Sequence, residues 1–123
     1  MNIAFIVSSL DNQSPVVLVK ALARHSAQLE NVSYCIYYFD ESGITEPDLN
    51  TQKITFTKGF DFSKYQIIHS NGIRPDAFVW WHKAKIKPHC KVLTTIHSFA
   101  IPDLTAIYNP IIGRLFGSLW QFF

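Results

Sequence analysis

The sequence has only two cysteines, Cys35 and Cys90, and neither stands at a spacing typical of a metal site or a redox motif. This pattern favours buried, reduced thiols in a cytoplasmic protein. The histidines His25, His82 and His89 show no metal-ligand spacing with these cysteines, so we interpret them as surface or helix-end residues. We therefore expect neither a metal nor another cofactor.

An excess of one charge and a long apolar run are also lacking. The formal net charge at pH 7 is +2, which is too small to indicate a nucleic-acid partner, and we expect none. No stretch approaches an uncharged membrane span, and the apolar run at residues 1–7 lacks a preceding basic segment, which is typical of a first strand and not of a signal peptide. With 123 residues, 48% of them hydrophobic, the chain has the apolar content of one domain with a core.

Two short apolar runs that each end in a histidine stand in the second half of the sequence. Residues 66–68 lead to His69, and residues 91–96 lead to His97. Both runs are too short for a helix, are rich in β-branched residues and stop at small polar residues. They therefore predict buried strands, each with a histidine at its carboxyl end.

A helix is predicted between these two strands. Pro75 suits a first helical turn, where its missing N–H group costs nothing, and Asp76 is favourable to the helix dipole. Because strand-helix-strand connections are right-handed in nearly all cases, we expect both histidines at the same edge of one parallel sheet. That edge is where open α/β sheets bind ligands.

The amino-terminal residues predict a strand, a loop and a helix. Residues 2–7 form an unbroken apolar run typical of a central parallel strand, and residues 8–14 form a polar loop. Ser14 suits the N-cap and Pro15 the first position of an amphipathic helix over residues 16–29. The backbone N–H groups at its start suit a phosphate or a carboxylate, with an ordinary loop as the alternative because no glycine-rich fingerprint is present.

The remaining segments extend the same pattern. Residues 32–39 predict a second strand, residues 44–52 a surface connection, residues 53–57 a peripheral strand and residues 59–65 a short helix or a loop. The apolar, helix-like residues 111–123 stop without a cap or a polar tail, so we expect an amino-terminal half whose missing part covers that apolar face. The order β-α-β-β-β-α-β-α predicts an α/β fold: an open, mostly parallel Rossmann-like sheet with helices on both faces.

Three segments of the sequence together resemble a known family. Residues 6–17, 67–76 and 94–98, in this order and with the intervening helices, resemble the amino-terminal Rossmann-like domain of bacterial GT-B glycosyltransferases of the retaining, family 4 type. The resemblance is strongest to enzymes that build capsular, exopolysaccharide or lipopolysaccharide sugars. It implies one acceptor-side domain over residues 1–123, inactive alone and catalytic only when joined to a carboxyl-terminal nucleotide-binding domain. It also implies a nucleotide-sugar donor, a glycan or lipid-linked acceptor, and a cytoplasmic location at the inner face of the membrane.

The resemblance implies a donor loop and a catalytic histidine in this chain. Asn12, Gln13 and Ser14 correspond to the loop that holds the donor phosphates. Gln13 and Ser14 replace a glycine pair that is usual in the family, and their side chains limit close approach of the phosphates. His97 corresponds to the histidine that faces the transferring sugar, and Ser98 follows it as a substrate-binding residue.

Five further residues correspond to the acceptor side of the family's site. His69, Asn71 and Gly72 match the end of the acceptor-side strand, and Arg74 and Asp76 match the start of the following helix. The resemblance implies substrate binding by His69, Asn71, Gly72 and Arg74. The structural alternatives are a hydrogen bond from His69 to neighbouring loops and an N-terminal charge pair of Arg74 with Asp76.

The chemistry of glycosyl transfer explains why a histidine suits this position. Transfer with retention passes through an oxocarbenium-like sugar while a nucleoside diphosphate leaves, so the site must stabilise the phosphates and orient the sugar. A neutral histidine hydrogen-bonds to a sugar hydroxyl without formal charge, and we therefore expect His97 to orient the sugar. Without the resemblance, a strand-end histidine is more often structural.

Lysines stand beside two tryptophans, Trp80 and Trp81, within residues 80–87. This pattern suits a headgroup surface that carries a lipid-linked acceptor and predicts a peripheral membrane contact. The alternative, which we favour on the sequence alone, is that one tryptophan packs in the core while the lysines solvate a helix.

Two other functions remain open on the sequence. One is a non-catalytic α/β binding or interaction module, a remnant of such an enzyme, for which Gln13 and Ser14 are the best evidence. The other is an unrelated flavodoxin-like or sensor domain. It predicts tight flavin binding or acidic residues clustered at the end of the first strand, where only Asp11 stands.

Overall fold

Runs of β-branched and aromatic residues build a parallel sheet at the centre of the molecule. A computed structural model of the chain describes residues 1–95 and residue 111. Its strands are β1 (Asn2–Ser9), β2 (Ser33–Asp40), β3 (Thr51–Lys53), β4 (Ile67–Asn71) and β5 (Lys91–Thr95). They form a five-stranded sheet in the order β3-β2-β1-β4-β5, and all neighbouring strands are parallel. The predicted Rossmann-like α/β sheet is confirmed. The prediction that the strand over residues 91–95 is buried is wrong, because β5 is the last strand in the order and its residues 91–94 are exposed.

Two helices cover opposite faces of this sheet. They are α1 (Ser14–Ser26) and α2 (Ile73–Trp81), and the described residues also include 3₁₀ turns at Phe62–Lys64 and Lys83–Lys85. Side chains alternate along β1, so that Phe5 packs on the α1 side and Ile6 on the α2 side. Because both faces of β1 are covered, its sequence is continuously apolar, as expected for a central parallel strand.

Aromatic rings fill the core between α2 and the sheet. Phe78 is fully buried, with 0% of its surface exposed. Its ring centroid lies between 4.5 and 6.0 Å from those of five neighbours, which are Phe39, Phe56, Phe60, Phe62 and His82. Phe56 and Phe60 reach this cluster from the segment between β3 and the first 3₁₀ turn. The cluster therefore holds a loop as well as a helix against the sheet.

The structure corrects the predicted bounds of two elements. The N-cap of α1 is Gln13, so the helix begins one residue earlier than predicted, and it ends at Ser26, before the exposed Leu29. The strand predicted over residues 53–57 is wrong, because β3 covers Thr51–Lys53. Ile54 adds one backbone hydrogen bond to Tyr38, 2.8 Å long. The apolar alternation after it arises from side chains that enter the core from a loop.

The histidines and cysteines of the described residues lie as predicted, and His82 is buried as well. Cys35 and Cys90 are buried and form no disulfide, and burial raises the pKa of both thiols. His25 and His89 are exposed, as expected. His82 is at a helix end but is buried, because its ring packs on Phe78 and its Nδ1 lies 2.9 Å from the Phe78 carbonyl oxygen.

The predicted helix-like segment over residues 111–123 lies outside the described residues, apart from Ile111. None of the helices in the described part of the chain is long and apolar enough to span a bilayer.

Replacing Phe78 by alanine should lower the free energy of unfolding by about 3–5 kcal/mol, because the substitution leaves a cavity among the surrounding rings. Trp81→Ala in the same helix serves as the control, since 67% of the Trp81 surface is exposed and its loss should change stability by less than about 0.5 kcal/mol. Urea denaturation followed by circular dichroism measures both. Equal losses for the two variants would contradict this description of the core.

Candidate functional site

The carboxyl ends of the strands meet at one edge of the sheet, as parallel pairing requires. The register aligns Ser9 of β1 with Asp40 of β2, and Asn71 of β4 with Thr95 of β5. Both helices begin at this edge, because α1 follows β1 and α2 follows β4. We call this region, formed by residues 9–14, Asp40, residues 71–74 and Thr95, the carboxyl edge.

A buried carboxylate joins β4, β5 and α2 directly behind the carboxyl edge. Asp76, only 8% exposed, accepts hydrogen bonds from Ser70 Oγ at 2.5 Å and from Thr94 Oγ1 at 2.6 Å. Its backbone N–H donates to the Gly72 carbonyl at 3.0 Å. The sequence predicted a charge at a helix start, and the structure shows that this charge also fixes the helix to two strands.

Asn71 and Gly72 link β4 to α2. Gly72 has φ 104°, a conformation that favours glycine. Asn71 is 4% exposed, and its Nδ2 donates to the His69 carbonyl oxygen at 3.3 Å. Its Oδ1 is buried and, among the residues described, has no hydrogen-bond partner. An unsatisfied buried acceptor costs about 1–3 kcal/mol, so this oxygen suits the hydroxyl or amide donor of a ligand.

His69 is held by its neighbours in the sheet. Its Nε2 lies 2.5 Å from Thr95 Oγ1 of β5, and its ring centroid lies 5.7 Å from that of Phe5 in β1. The structural alternative for this residue was a hydrogen bond to neighbouring loops, and the observed partner lies in strand β5 instead. The imidazole has a defined orientation beside the carboxyl edge.

Arg74 crosses the carboxyl edge from α2 to the end of β2. Its Nη1 donates to Asp40 Oδ2 at 2.6 Å, and its guanidinium carbon lies 4.8 Å from the centre of the Phe39 ring. The structural alternative paired Arg74 with Asp76, and the observed ion pair is with Asp40. Because both side chains of this pair are about half exposed, the pair contributes little to stability.

A buried lysine of α1 holds the loop after β1 through hydrogen bonds. Lys20 of α1 is 2% exposed, and its Nζ donates to the Leu10 carbonyl oxygen at 2.8 Å, to Asn12 Oδ1 at 2.8 Å and to Glu46 Oε1 at 2.9 Å. The ammonium group thereby uses its three donors and ties the predicted donor loop to the connection before β3. Gln13 and Ser14 are exposed at the start of α1, as their predicted role requires.

Lys20 was not among the residues predicted to matter, although the sequence carries a signal. The residue falls at helical spacing with the buried Val16, Val19 and Ala23 of α1, on the face that enters the core. A lysine at such a position requires acceptors for its charge. Glu46 and the Leu10 carbonyl could not be identified from the sequence because they come from other elements.

Two further charges extend this cluster toward solvent. Arg24 Nε donates to Asp48 Oδ2 at 2.8 Å, and its Nη2 donates to Glu46 Oε2 at 3.0 Å. The hydrogen bond from Lys20 lowers the pKa of Glu46 below its ordinary value of 4.5, and the hydrogen bond from Arg24 lowers the pKa of Asp48 below 3.8. Both carboxylates are therefore ionised at neutral pH. They attract Lys20 and Arg24 and so hold α1 to the connection between β2 and β3.

The predicted catalytic residue His97 and the predicted substrate-binding residue Ser98 lie outside the described residues. Their roles stay predictions. The structure brings the other predicted site residues to one edge, from the β1 loop to α2. Within residues 1–95 and at residue 111, no three His, Cys, Asp or Glu side chains cluster as metal ligands would.

The chain is similar to two curated proteins, both O-antigen biosynthesis glycosyltransferases WclY of Escherichia coli. One is 31% identical over 125 aligned positions, which cover 98% of this chain and 35% of the relative. The other is 33% identical over 132 aligned positions, which cover 100% of this chain and 37% of the relative. The chain is thus distantly related to an O-antigen biosynthesis glycosyltransferase and spans about a third of the length of these relatives. Neither a protein-family model nor a solved structure matches it.

Stability should fall in acid because the pKa values of Glu46 and Asp48 are lowered on folding. A lowered carboxyl pKa stabilises the folded state above the unfolded-state value, here 4.5 and 3.8, and this stabilisation is lost as the pH falls through the folded-state value. Urea midpoints measured from about pH 6 to about pH 3 should therefore decline below about pH 4.5, and the decline should be shallower in Glu46→Gln.

The matched control is Glu30→Gln, which removes an exposed carboxylate outside this cluster. It should leave the pH dependence of the parent chain unchanged. A Glu46→Gln variant with the same acid slope as the parent would show that the Lys20–Glu46 contact does not contribute.

Proposed function

We propose that this chain is the amino-terminal, acceptor-side domain of a retaining GT-B glycosyltransferase. In this proposal the whole protein transfers a sugar from a nucleotide-sugar donor to a glycan or lipid-linked acceptor during synthesis of a cell-surface polysaccharide. The relationship to the WclY glycosyltransferases supports the reaction class and the type of product. The parallel Rossmann-like sheet is the architecture that half of a GT-B enzyme requires.

The observation that carries the proposal is the Oδ1 of Asn71 at the carboxyl edge, which has no hydrogen-bond partner among residues 1–95 and 111. This oxygen only accepts hydrogen bonds, and a sugar presents hydroxyl donors around its ring. Because Asn71 Nδ2 donates to the His69 carbonyl oxygen, the carboxamide oxygen Oδ1 faces away from that carbonyl. At Gly72 the nearest atom to the position of a Cβ, apart from those of Gly72 itself and its two chain neighbours, is Pro75 Cδ at 3.9 Å, and this open backbone lets a ligand approach.

Three side chains of the acceptor side have distinct proposed tasks. His69 is oriented by Thr95 and, through its carbonyl, orients Asn71. Asn71 binds a sugar hydroxyl. Arg74 is about half exposed at the same edge, and its guanidinium suits an acceptor or donor phosphate when it leaves Asp40.

The loop of Asn12, Gln13 and Ser14 is proposed to face the donor phosphates. The first backbone N–H groups of α1 have no carbonyl partner within the helix and favour an anion, as at any helix start. Lys20 holds the side chain of Asn12 and so limits the movement of this loop. The exposed side chains of Gln13 and Ser14 require the phosphates to approach at a greater distance than a glycine pair would allow.

His97 is proposed to orient the transferring sugar, and Ser98 to bind it. In the reaction the bond between the sugar's anomeric carbon and the phosphate oxygen breaks, and its electron pair leaves with the nucleoside diphosphate. The acceptor oxygen forms the new bond on the same face of the sugar, and its proton passes to the departing diphosphate. A neutral histidine stabilises this geometry through hydrogen bonds to the sugar without adding charge beside the cationic transition state.

The remaining two thirds of the relatives' length is proposed to supply a carboxyl-terminal domain that binds most of the nucleotide. On this proposal the carboxyl edge forms one wall of a cleft between two domains, and this chain alone transfers no sugar. The donor sugar and the acceptor are then selected largely by the other wall.

Transfer by the full-length protein tests the proposal. The protein is assayed with UDP-hexoses and GDP-hexoses and a diphosphate-lipid-linked sugar acceptor. His97→Ala and Asn71→Ala should each lower kcat/KM by about 10- to 100-fold, because each removes a group that positions the sugar. The exposed His25→Ala in α1 is the control and should keep the parental rate. Unchanged turnover in His97→Ala would remove this residue from the mechanism, and transfer by the 123-residue chain alone would contradict the two-domain proposal.

The side chains of Gln13 and Ser14, which replace the glycine pair usual in the family, favour a second candidate, a non-catalytic binding module derived from such an enzyme. The same assay separates the two candidates. A full-length protein that binds the sugar in an Asn71-dependent manner and transfers none supports the module. Measurable transfer with any of the donors supports the enzyme.

A further inference from the structure

An ion pair joins the two halves of the sheet at the carboxyl edge. The chain builds β2 and β3 on one side of β1, and β4 and β5 on the other. Asp40 is the last residue of β2, and Arg74 is in the first turn of α2, which follows β4. Their 2.6 Å contact therefore connects elements from the two sides of β1. Open α/β sheets bind their ligands at the point where the strand order reverses, and this pair is next to that point.

The pair uses little of the hydrogen-bonding capacity of Arg74. The guanidinium has five N–H donors, and within the described part of the chain it donates to Asp40 through Nη1. The ring of Phe39, centred 4.8 Å from the guanidinium carbon, supports the flat face of the group and leaves the donors at its rim available. With 45% of the Arg74 side chain and 59% of the Asp40 side chain exposed, a ligand can reach both.

The surroundings of Arg74 suit a sugar that carries a phosphate. The first backbone N–H groups of α2, at Ile73 and Arg74, have no carbonyl partner within the helix, which favours an anion beside them. Three residues before Arg74 is the buried Asn71 Oδ1, to which none of the described residues donates a hydrogen bond. A sugar hydroxyl at Asn71 and a phosphate at Arg74 therefore have neighbouring binding groups.

Asp40 opposes the binding of that phosphate. Its carboxylate neutralises the guanidinium and occupies one of the donors that the phosphate needs. The other acidic residues next to the edge have different partners: Asp76 accepts hydrogen bonds from β4 and β5, and Asp11 accepts one from β1. Exposed ion pairs are weak, so a ligand phosphate can displace Asp40 at a small cost.

We propose that Asp40 is a specificity-determining residue of the candidate site, because it is the counter-ion of Arg74 that the phosphate of a sugar ligand displaces. The inference rests on the proposed function, from which it takes a phosphate-bearing sugar as the ligand of the carboxyl edge. A neutral sugar leaves the Asp40–Arg74 pair closed. A sugar phosphate opens the pair and binds to both Asn71 and Arg74.

Binding of glucose 1-phosphate to the 123-residue chain tests the proposal. Affinity is measured by NMR titration of the isotope-labelled chain, with the amide resonances of Gly72 and Ile73 as reporters of this edge. Asp40→Asn keeps the size of the side chain and removes the competing charge, so the sugar phosphate should bind about threefold to fivefold more tightly. Added salt should reduce this gain. The affinity for methyl glucoside, the neutral comparison ligand, should not change.

A second exposed ion pair of the chain supplies the matched control. Arg24 and Asp48 are 2.8 Å apart, and 45% and 57% of their side chains are exposed. Asp48→Asn removes the same charge as Asp40→Asn and should leave the affinity for glucose 1-phosphate unchanged. In an Arg74→Gln background, Asp40→Asn should give no gain, because the group for which Asp40 competes is absent. Circular dichroism of every variant establishes that it is folded.

Three outcomes would overturn the proposal. They are an absence of glucose 1-phosphate binding by both the parent and Asp40→Asn, equal gains in Asp40→Asn and Asp48→Asn, and a gain that persists in Arg74→Gln. The second would show that net charge and not this pair governs the affinity, and the third that Asp40 repels the ligand directly. Failure of the proposed function is distinguishable, since the full-length protein would then transfer no sugar while the Asp40-dependent binding remained.

Discussion

Burial of β1 on both faces is the constraint on which the rest of the structure depends. A strand with apolar side chains on both sides needs a helix on each face of the sheet, and α1 and α2 cover these two faces. Parallel neighbours on either side complete its backbone hydrogen bonds. The same parallel arrangement brings the strand ends and the helix starts to one edge. Core packing and the location of the candidate site therefore have one cause.

Buried polar groups next to the carboxyl edge fix the positions of the helix start and the loop that form it. Asp76 fixes the start of α2 to β4 and β5, and Lys20 fixes the loop after β1 to the connection before β3. Each is a buried polar group whose hydrogen bonds come from different elements, so removing its partners would leave that group unsatisfied. Between these two anchors lies the buried Asn71 Oδ1, for which the described part of the chain supplies no hydrogen-bond partner.

Much of the fold could be predicted from the sequence because its signals are local. Short β-branched runs, Pro75 and the small polar residues after each strand sufficed for β1, β2, β4, β5 and both helices. β3 was displaced because Ile54 and Phe56 enter the core from a loop, and a loop with alternating apolar residues has the same pattern as a strand. For the site, the edge was predictable, whereas the Lys20 contacts and the Arg74–Asp40 pair depend on residues distant in sequence.

The central claim is that Asn71 Oδ1 accepts a hydrogen bond from a sugar at the carboxyl edge. A crystal structure of the full-length protein with a bound sugar donor or acceptor tests this claim most directly. The account predicts a sugar hydroxyl oxygen within about 3 Å of Asn71 Oδ1, beside Gly72 and the start of α2. A sugar bound away from this edge, with Asn71 Oδ1 satisfied by a protein group, would contradict it.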